Sequence, residues 1–460
     1  MERQLMDSDL LFGSVSAQKP VALELYSLIK DLPILSPHSH IDPALFNTRF
    51  DNPVEVLIQP DHYILRMLVS QGVPYSQILS KENPCDVWQL FADYFYLFRG
   101  TPSGLWFNHT LKNILGVNEK LDSSSATSIY NQIVAKFAEP EFTPKKLFNK
   151  MRIEVLATTD PVTSALEYHR AIPSLGLNGR VIPTFRADNM INILLPSWTA
   201  NIQLLETASG VEIKDFNSFI AALEQRRAYF KSLGGTATDT SCSLPETTFL
   251  SHAEVETIFQ RALKGQAGKQ DAALFTAHMV TEMARMSVED GMVMQLHSGI
   301  YRNHNPEIFN QFGPDKGFDI PIRTEFTRNL KPLLDRFGNN ANLTLILFTL
   351  DEALYSRELA PIAGAYPAIR IGPPWWFCDS WNGINRYFDL VMETAGLYNT
   401  VGFIDDTRSF LSIPARHDLW RRVSANWLAR LLVQHLIDRR DAEEMAIELA
   451  VGLVKRTYHL

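Results

Sequence analysis

"LPILSPHSHIDP", residues 32–43, runs from apolar residues into two histidines one residue apart. On an extended segment, side chains at i and i+2 face the same side. His38 and His40 would then point together at whatever lies beyond the strand end. Two neutral imidazoles so held make half of a metal site. The competing reading is a turn whose histidines face solvent. The rest of the chain has to decide between them.

The run is one of eight. Others are "IEVLATTD" (153–160), "RVIPTFR" (180–186), "GTATDTS" (235–241), "MVMQLHSG" (292–299), "TLILFTLD" (344–351), "AIRIGPP" (368–374) and "TVGFIDD" (400–406). Between them lie stretches such as "FNSFIAALEQRRAYFKSLGG", with apolar residues at helical spacing and a glycine stop. Near-continuous apolar strands alternating with helices indicate an α/β fold with a parallel sheet covered on both faces. Eight such units predict a closed (β/α)8 barrel of the TIM type. The structural alternative is a doubly wound open sheet. The strand count and the lack of a GxGxxG turn weigh against it.

About 110 residues separate the first run from the second, far more than a crossover helix needs. Residues 47–150 are aromatic-rich with helical spacing and read as a helical insertion beside the barrel mouth. The expected organisation is residues 1–46 for the N-terminal segment and strand 1, 47–150 for the insertion, and 151–460 for the remaining barrel with C-terminal helices.

The chain has 460 residues, 46% hydrophobic and 20% charged, as in an ordinary soluble globular protein. A net charge of −8 argues against a nucleic-acid or anionic-membrane binder. An anionic small substrate stays open, because a few local arginines can override net charge. The three cysteines, Cys85, Cys242 and Cys378, form no CxxC pair and no disulfide framework. The N-terminus lacks a signal-type apolar core, and nothing approaches the roughly 18 apolar residues of a membrane span. These features predict a cytoplasmic protein and leave a homo-oligomer open.

In a barrel of this kind the functional groups sit at the C-terminal strand ends. The eight runs place there His38 and His40, Asp160, Arg186, Asp239, His297, Asp351 with Glu352, Trp375 with Trp376, and Asp405 with Asp406. Each alone reads more readily as a cap or turn residue than as a functional one. Together they favour a site. Strand 8 of a closed barrel lies beside strand 1, so Asp406 can meet both histidines. Two histidines and a carboxylate leave an open position on a Zn²⁺-like cation. Arg408 follows two residues later and suits bidentate carboxylate recognition. Arg186 is a second anchor, with a structural salt bridge as its alternative. His62 and Tyr63, in "QPDHYILRML", read on their own as a helix N-terminus. The tryptophans read as core packing or as a platform for a sugar ring. The remaining histidines, including His109, His169, His278 and His417, read as structural.

The ordered set "PHSH", "DHYILR", "TTDP", "PTFRADN", "MQLHSGIYRNHNP", "GPPWWF" and "DDTRSFLSIPARHD" resembles the uronate (glucuronate) isomerase family of the amidohydrolase superfamily. The resemblance runs through nearly the whole chain. It implies aldose–ketose isomerisation of hexuronates, D-glucuronate to D-fructuronate and D-galacturonate to D-tagaturonate. It implies that His38, His40 and Asp406 hold one divalent cation, zinc. Tyr63 and Arg408 correspond to residues that move the C2 proton, with His62 beside them. Arg186, Asp239, His297, Arg302, Trp375 and Trp376 would contact or position the sugar acid, and His297 is not expected to be an obligatory metal ligand. Proton transfer through a cis-enediol needs an acid–base pair. A guanidinium beside Tyr63 would favour its phenolate, which gives Tyr63 and Arg408 a shared purpose.

Three positions depart from the family pattern. "LSPHSH" replaces a His-Cys-His motif, Thr240 stands where a histidine follows the strand-4 aspartate, and Asp351-Glu352 stand where an arginine is expected. The acids after strand 6 predict weakened uronate affinity or a preference for another polyol acid, and the departures together leave the substrate open. The alternatives are a metal-dependent hydrolase of a sugar-acid lactone, with Asp406 as base, and a non-catalytic sugar binder. The intact His-His-Asp set argues against the latter.

Overall fold

The computed structural model describes residues 5–13, 15–80 and 82–460; the other residues of the N-terminal segment and residue 81 lie outside them. Nine strands are found among the described residues: β1 (Ile34–Ser36), β2 (Ile153–Pro161), β3 (Arg180–Arg186), β4 (Ala237–Cys242), β5 (Val293–Ser298), β6 (Ile300–Tyr301), β7 (Ile320–Pro321), β8 (Leu345–Phe348) and β9 (Ile369–Ile371). Seven form one parallel sheet in the order β1-β2-β3-β4-β5-β8-β9, and β6 pairs with β7 as a short antiparallel hairpin. Each sheet strand pairs with the next one along the chain. That order has no reversal, so the doubly wound alternative, which needs one, is excluded.

The period of two along each strand sorts the side chains. Val155 with Ala157, and Ile346 with Phe348, join Leu35, Ile182, Ala237 and Val293 in one buried cluster on the concave face. Val454 and Tyr458 from the last helix, Leu453–Tyr458, close the bottom of that cluster. The Tyr458 hydroxyl donates to Gln295 Oε1 at 2.8 Å, which satisfies a polar pair inside the sheet. The opposite faces, with Phe185, Met294, Leu296, Leu345 and Leu347, pack on helices such as Phe216–Ser232, Lys269–Asp290 and Ile413–Val433.

Among the described residues between β1 and β2 the chain makes only helical elements, including His62–Ser70, Pro84–Asp93, Pro102–His109 and Ala126–Phe137. Their core buries Trp88, Phe91, Phe107, Ile129 and Ile133 together and runs on into the sheet through Ile34, Ile153, Leu156 and Val181.

The eighth expected strand is a correction. Residues 400–406 carry one isolated bridge, Ile371 to Thr400, and no ladder. Gly402 has φ +77°, where a Cβ would meet Val454 Cγ2 at 3.2 Å and Leu453 Cβ at 3.3 Å. The closing helix therefore packs tightly there and bends the segment out of extended geometry. No helix among the described residues is long and apolar enough to cross a membrane.

Candidate active site

Beyond Ser36 the ladder stops at Pro37, which has no N–H to donate. Ser39 then anchors the turn. Its Oγ donates to the Ala157 carbonyl at 2.7 Å, and Thr159 Oγ1 donates to the Ser39 carbonyl at 2.8 Å. With Ser39 held outward, the flanking His38 and His40 rings turn to one side, 5.3 Å apart and nearly perpendicular. The His40 N–H donates to the Thr407 carbonyl at 2.9 Å, which brings residues 405–408 alongside.

Asp406 Oδ1 lies 3.4 Å from His38 Nε2 and 3.1 Å from His40 Nε2. Its other oxygen accepts from Trp375 Nε1. Asp406 has φ +42°, a region a non-glycine residue occupies only when its surroundings hold it. Burial would raise the Asp406 pKa, but the two imidazoles hold it far below the ordinary carboxylate range. His40 is pushed down to about 4 by burial and by Arg408, so its imidazole is neutral at pH 7.

These residues fit a cation. Asp406 Oδ1 is buried without a hydrogen bond, although two imidazole nitrogens face it. The three donor atoms lie within 4.8 Å of one another. Two imidazoles and a carboxylate suit a borderline divalent ion. The cavity of about 910 Å³ around them is lined by nine carboxylates and four arginines, so without a cation it would repel an anion.

Next along the rim, His297 Nδ1 and Asp239 Oδ1 are 2.7 Å apart, and the His297 ring stacks on Phe348 at 4.1 Å. Arg186 reaches Asp239 at 3.5 Å and donates to Asp188 Oδ2 at 2.8 Å. His38, Asp239 and His297 form a second group of ligand-type atoms, but Asp239 is already engaged by His297 and Arg186. Trp375 packs edge-on against His297 at 4.6 Å while holding Asp406, so it is committed to the wall of the site.

On the far rim Asp61 caps the helix His62–Ser70 by accepting from the Tyr63 and Ile64 N–H groups. His62 and Tyr63 therefore ride its first turn into the cavity. The His62 ring lies 5.8 Å from Trp376 and is pushed down to about 3 by burial and by Arg408. Arg408 forks onto Asp315, with Nη2–Oδ1 and Nη1–Oδ2 both at 3.0 Å. Arg302 is held between Asp319 Oδ2 at 2.7 Å and Ser241 Oγ at 2.6 Å.

The expected partnership of Tyr63 with Arg408 is not found. The Tyr63 hydroxyl donates to Asp379 Oδ1 at 2.6 Å and accepts from the Phe377 N–H at 2.7 Å. Burial and Asp379 raise its pKa well above 10, so the phenolate expected from a neighbouring guanidinium is disfavoured. The guanidinium that reaches this cluster is Arg416, on the other oxygen of Asp379 at 2.9 Å.

Three strand-end acids are engaged by other side chains. Asp405 turns onto His417 at 2.9 Å and Glu352 onto Arg386 at 3.0 Å. Asp160 accepts from Thr158 Oγ1 at 2.6 Å and faces His169, while its neighbour Thr159 lines the cavity. Neither Thr240 nor Glu352 lines the cavity. Side-chain alternation turns Thr240 away, and Arg386 holds Glu352 outside, so neither departure reaches the cavity. Sequence reading missed Asp379, Asp315, Asp319 and Arg416. Asp315 and Asp319 lie just beyond a quoted motif and Arg416 inside one, but their partners are distant in the chain.

Burial pushes Asp160 up to about 6. The native state then keeps a proton that the unfolded chain has lost between pH about 4 and 6, so stability falls as pH rises through that window. Asp160→Asn is expected to remove that fall, gaining up to about 3 kcal/mol over the natural chain at pH 7 relative to pH 4. Activity should stay within about threefold, as for a residue outside the cavity. Urea unfolding at both pH values checks the first expectation, and a rate assay the second.

The chain matches, over residues 5–451, the model of a family described as Glucuronate isomerase. It is 50% identical to the uronate isomerase of Nostoc punctiforme, covering 100% of this chain and 99% of that one. The solved glucuronate isomerase of Caulobacter crescentus superposes with a TM-score of 0.97 at 44% identity, covering 99% of this chain and 98% of that one. The solved uronate isomerase of Thermotoga maritima superposes with a TM-score of 0.91 at 27% identity, covering 95% and 97%.

Proposed function

The chain belongs to the glucuronate isomerase family and is an aldose–ketose isomerase of hexuronates; on that premise we propose how its own residues divide the work. The observation that carries the reading is the buried Asp406 oxygen facing both imidazoles beside the His62–Tyr63 turn in one cavity. This membership does not favour the lactone-hydrolase alternative. Residues 400–407 close the sheet as the eighth segment of a (β/α)8 barrel. The Val401 N–H bond to the Ile371 carbonyl on one side and the His40 N–H bond to the Thr407 carbonyl on the other support this. Residues 47–150 are then an insertion that brings Tyr63 over the barrel mouth.

His38, His40 and Asp406 hold one divalent cation, zinc. When bound, it supplies Lewis-acid polarisation of a substrate oxygen. Arg186 and Arg302 take the sugar carboxylate through charge-assisted hydrogen bonds. His297 and Asp239 set the position of Arg186, and Trp376 packs on the sugar chain. In the reaction the C2–H proton leaves to the Tyr63 oxygen and its electron pair forms the C1–C2 double bond. The carbonyl π pair moves to O1, and a proton passes from O2 to O1. C1 then takes a proton back as the C2 carbonyl forms. Arg408 and His62 flank the developing negative charge, the first as a cation and the second as a neutral donor.

Arg186→Met is expected to raise KM by about 10- to 100-fold through loss of a charge-assisted bond, with kcat changed less. Steady-state kinetics with D-glucuronate checks this. The test of the whole reading is proton NMR of zinc-supplemented protein with D-glucuronate and with D-galacturonate. Ketose resonances are expected to grow in. No conversion of either acid by protein with zinc bound would overturn it.

A further inference from the structure

Tyr63 is held in a way that its role in the proposed reaction does not require of a lone phenol. Two groups from one turn, the Phe377 N–H and the Asp379 carboxylate, converge on its oxygen at 2.7 and 2.6 Å. Phe377 has φ +69°, a conformation that a bulky residue keeps only when its surroundings hold it. The turn keeps it while Trp376 stacks on the Phe377 ring at 4.9 Å and the Arg66 guanidinium lies 4.5 Å from its centre. Arg416 fixes the other Asp379 oxygen at 2.9 Å, and the Arg416 guanidinium lies 3.9 Å over the Trp106 ring. The geometry spends the phenol's only proton on Asp379. What Tyr63 can offer substrate is a lone pair.

Resting on the proposed role of Tyr63 at C2, we propose that Asp379 is a positioning residue that takes the Tyr63 hydroxyl proton as Tyr63 takes the C2 proton of the sugar. The step balances. The C–H electron pair becomes the C1–C2 double bond and the C1 carbonyl π pair moves to O1. One proton moves from C2 to the phenol oxygen and another from that oxygen to Asp379 Oδ1. When Tyr63 protonates C1, Asp379 returns its proton to the phenol. Tyr63 thus acts as a base without first becoming a phenolate, a species its burial beside Asp379 disfavours. Arg416 serves by holding Asp379 Oδ2, which leaves Oδ1 aimed at Tyr63.

The test is a double-mutant cycle of Tyr63→Phe and Asp379→Asn, with kcat and KM measured separately and metal content and thermal melting recorded. Asp379→Asn is expected to lower kcat by about 10²- to 10³-fold with KM within about threefold. The double variant should be no slower than Tyr63→Phe alone, because Asp379 acts only through Tyr63. Asp379→Glu keeps a carboxylate and is expected to recover at least about tenfold of the kcat lost in Asp379→Asn. If Asp379→Asn does not fold, Asp379→Ser, which also lacks a carboxylate, replaces it in the comparison. Asp379→Asn within about threefold of natural kcat overturns the proposal, as does a double variant whose losses multiply. Full activity of Tyr63→Phe would instead remove the reading on which the relay rests, and the relay with it.

Discussion

Asp406→Asn is expected to lose the metal and at least about 10³-fold of the isomerisation rate, the loss of several kcal/mol of charge stabilisation. The carboxylate is the only acid of the three-residue set, and one of its oxygens faces both imidazoles at 3.1 and 3.4 Å. An amide in its place keeps the shape, and its remaining oxygen can still accept from Trp375. What goes is the negative charge that draws a divalent ion between His38 and His40. Metal content by mass spectrometry and the NMR rate should fall together. A second readout is thermal: zinc should raise the melting temperature of the natural chain and leave that of the variant nearly unchanged, because only the former binds it tightly when folded. Retained metal with natural activity in Asp406→Asn would contradict the assignment.

Tyr63→Phe is expected to lower kcat by about 10²- to 10⁴-fold while KM and metal content stay close to natural, the pattern of a lost proton-transfer group. Tyr63 does not touch His38, His40 or Asp406 through any hydrogen bond found, so the metal set should survive the change. The variant leaves the Phe377 N–H and Asp379 Oδ1 without their partner, which should cost about 1–3 kcal/mol of stability. A melt measured beside the kinetics separates that cost from the chemical loss. An unaffected rate would mean that the phenol takes no part in moving the C2 proton.

The reach of the sequence differs from element to element. "RVIPTFR" coincides with β3, Arg180–Arg186, because an apolar run bounded by glycine and a polar turn leaves few other ways to satisfy its backbone. "TVGFIDD" looks the same as a string, yet Gly402 is bent by a helix tens of residues later. No local pattern carries that information. The site divides the same way. His38, His40 and Asp406 are legible because a short spacing and a barrel's neighbour rule bring them together. Asp379 meets Tyr63 across 316 residues, and "WWFCDS" draws attention to its tryptophans rather than its acid. Asp160 looks like a site residue only until strand alternation is counted, which turns Thr159 inward and Asp160 toward His169.

The most direct test of a metal-dependent hexuronate isomerase is to strip the protein of metal with a chelator, add zinc stepwise, and follow D-glucuronate conversion by NMR at each addition. The account predicts an initial rate near zero at the start and a rise that levels off at one equivalent of zinc. The initial rate of the fully loaded protein, shown by protein holding less than about a tenth of an equivalent, would contradict it.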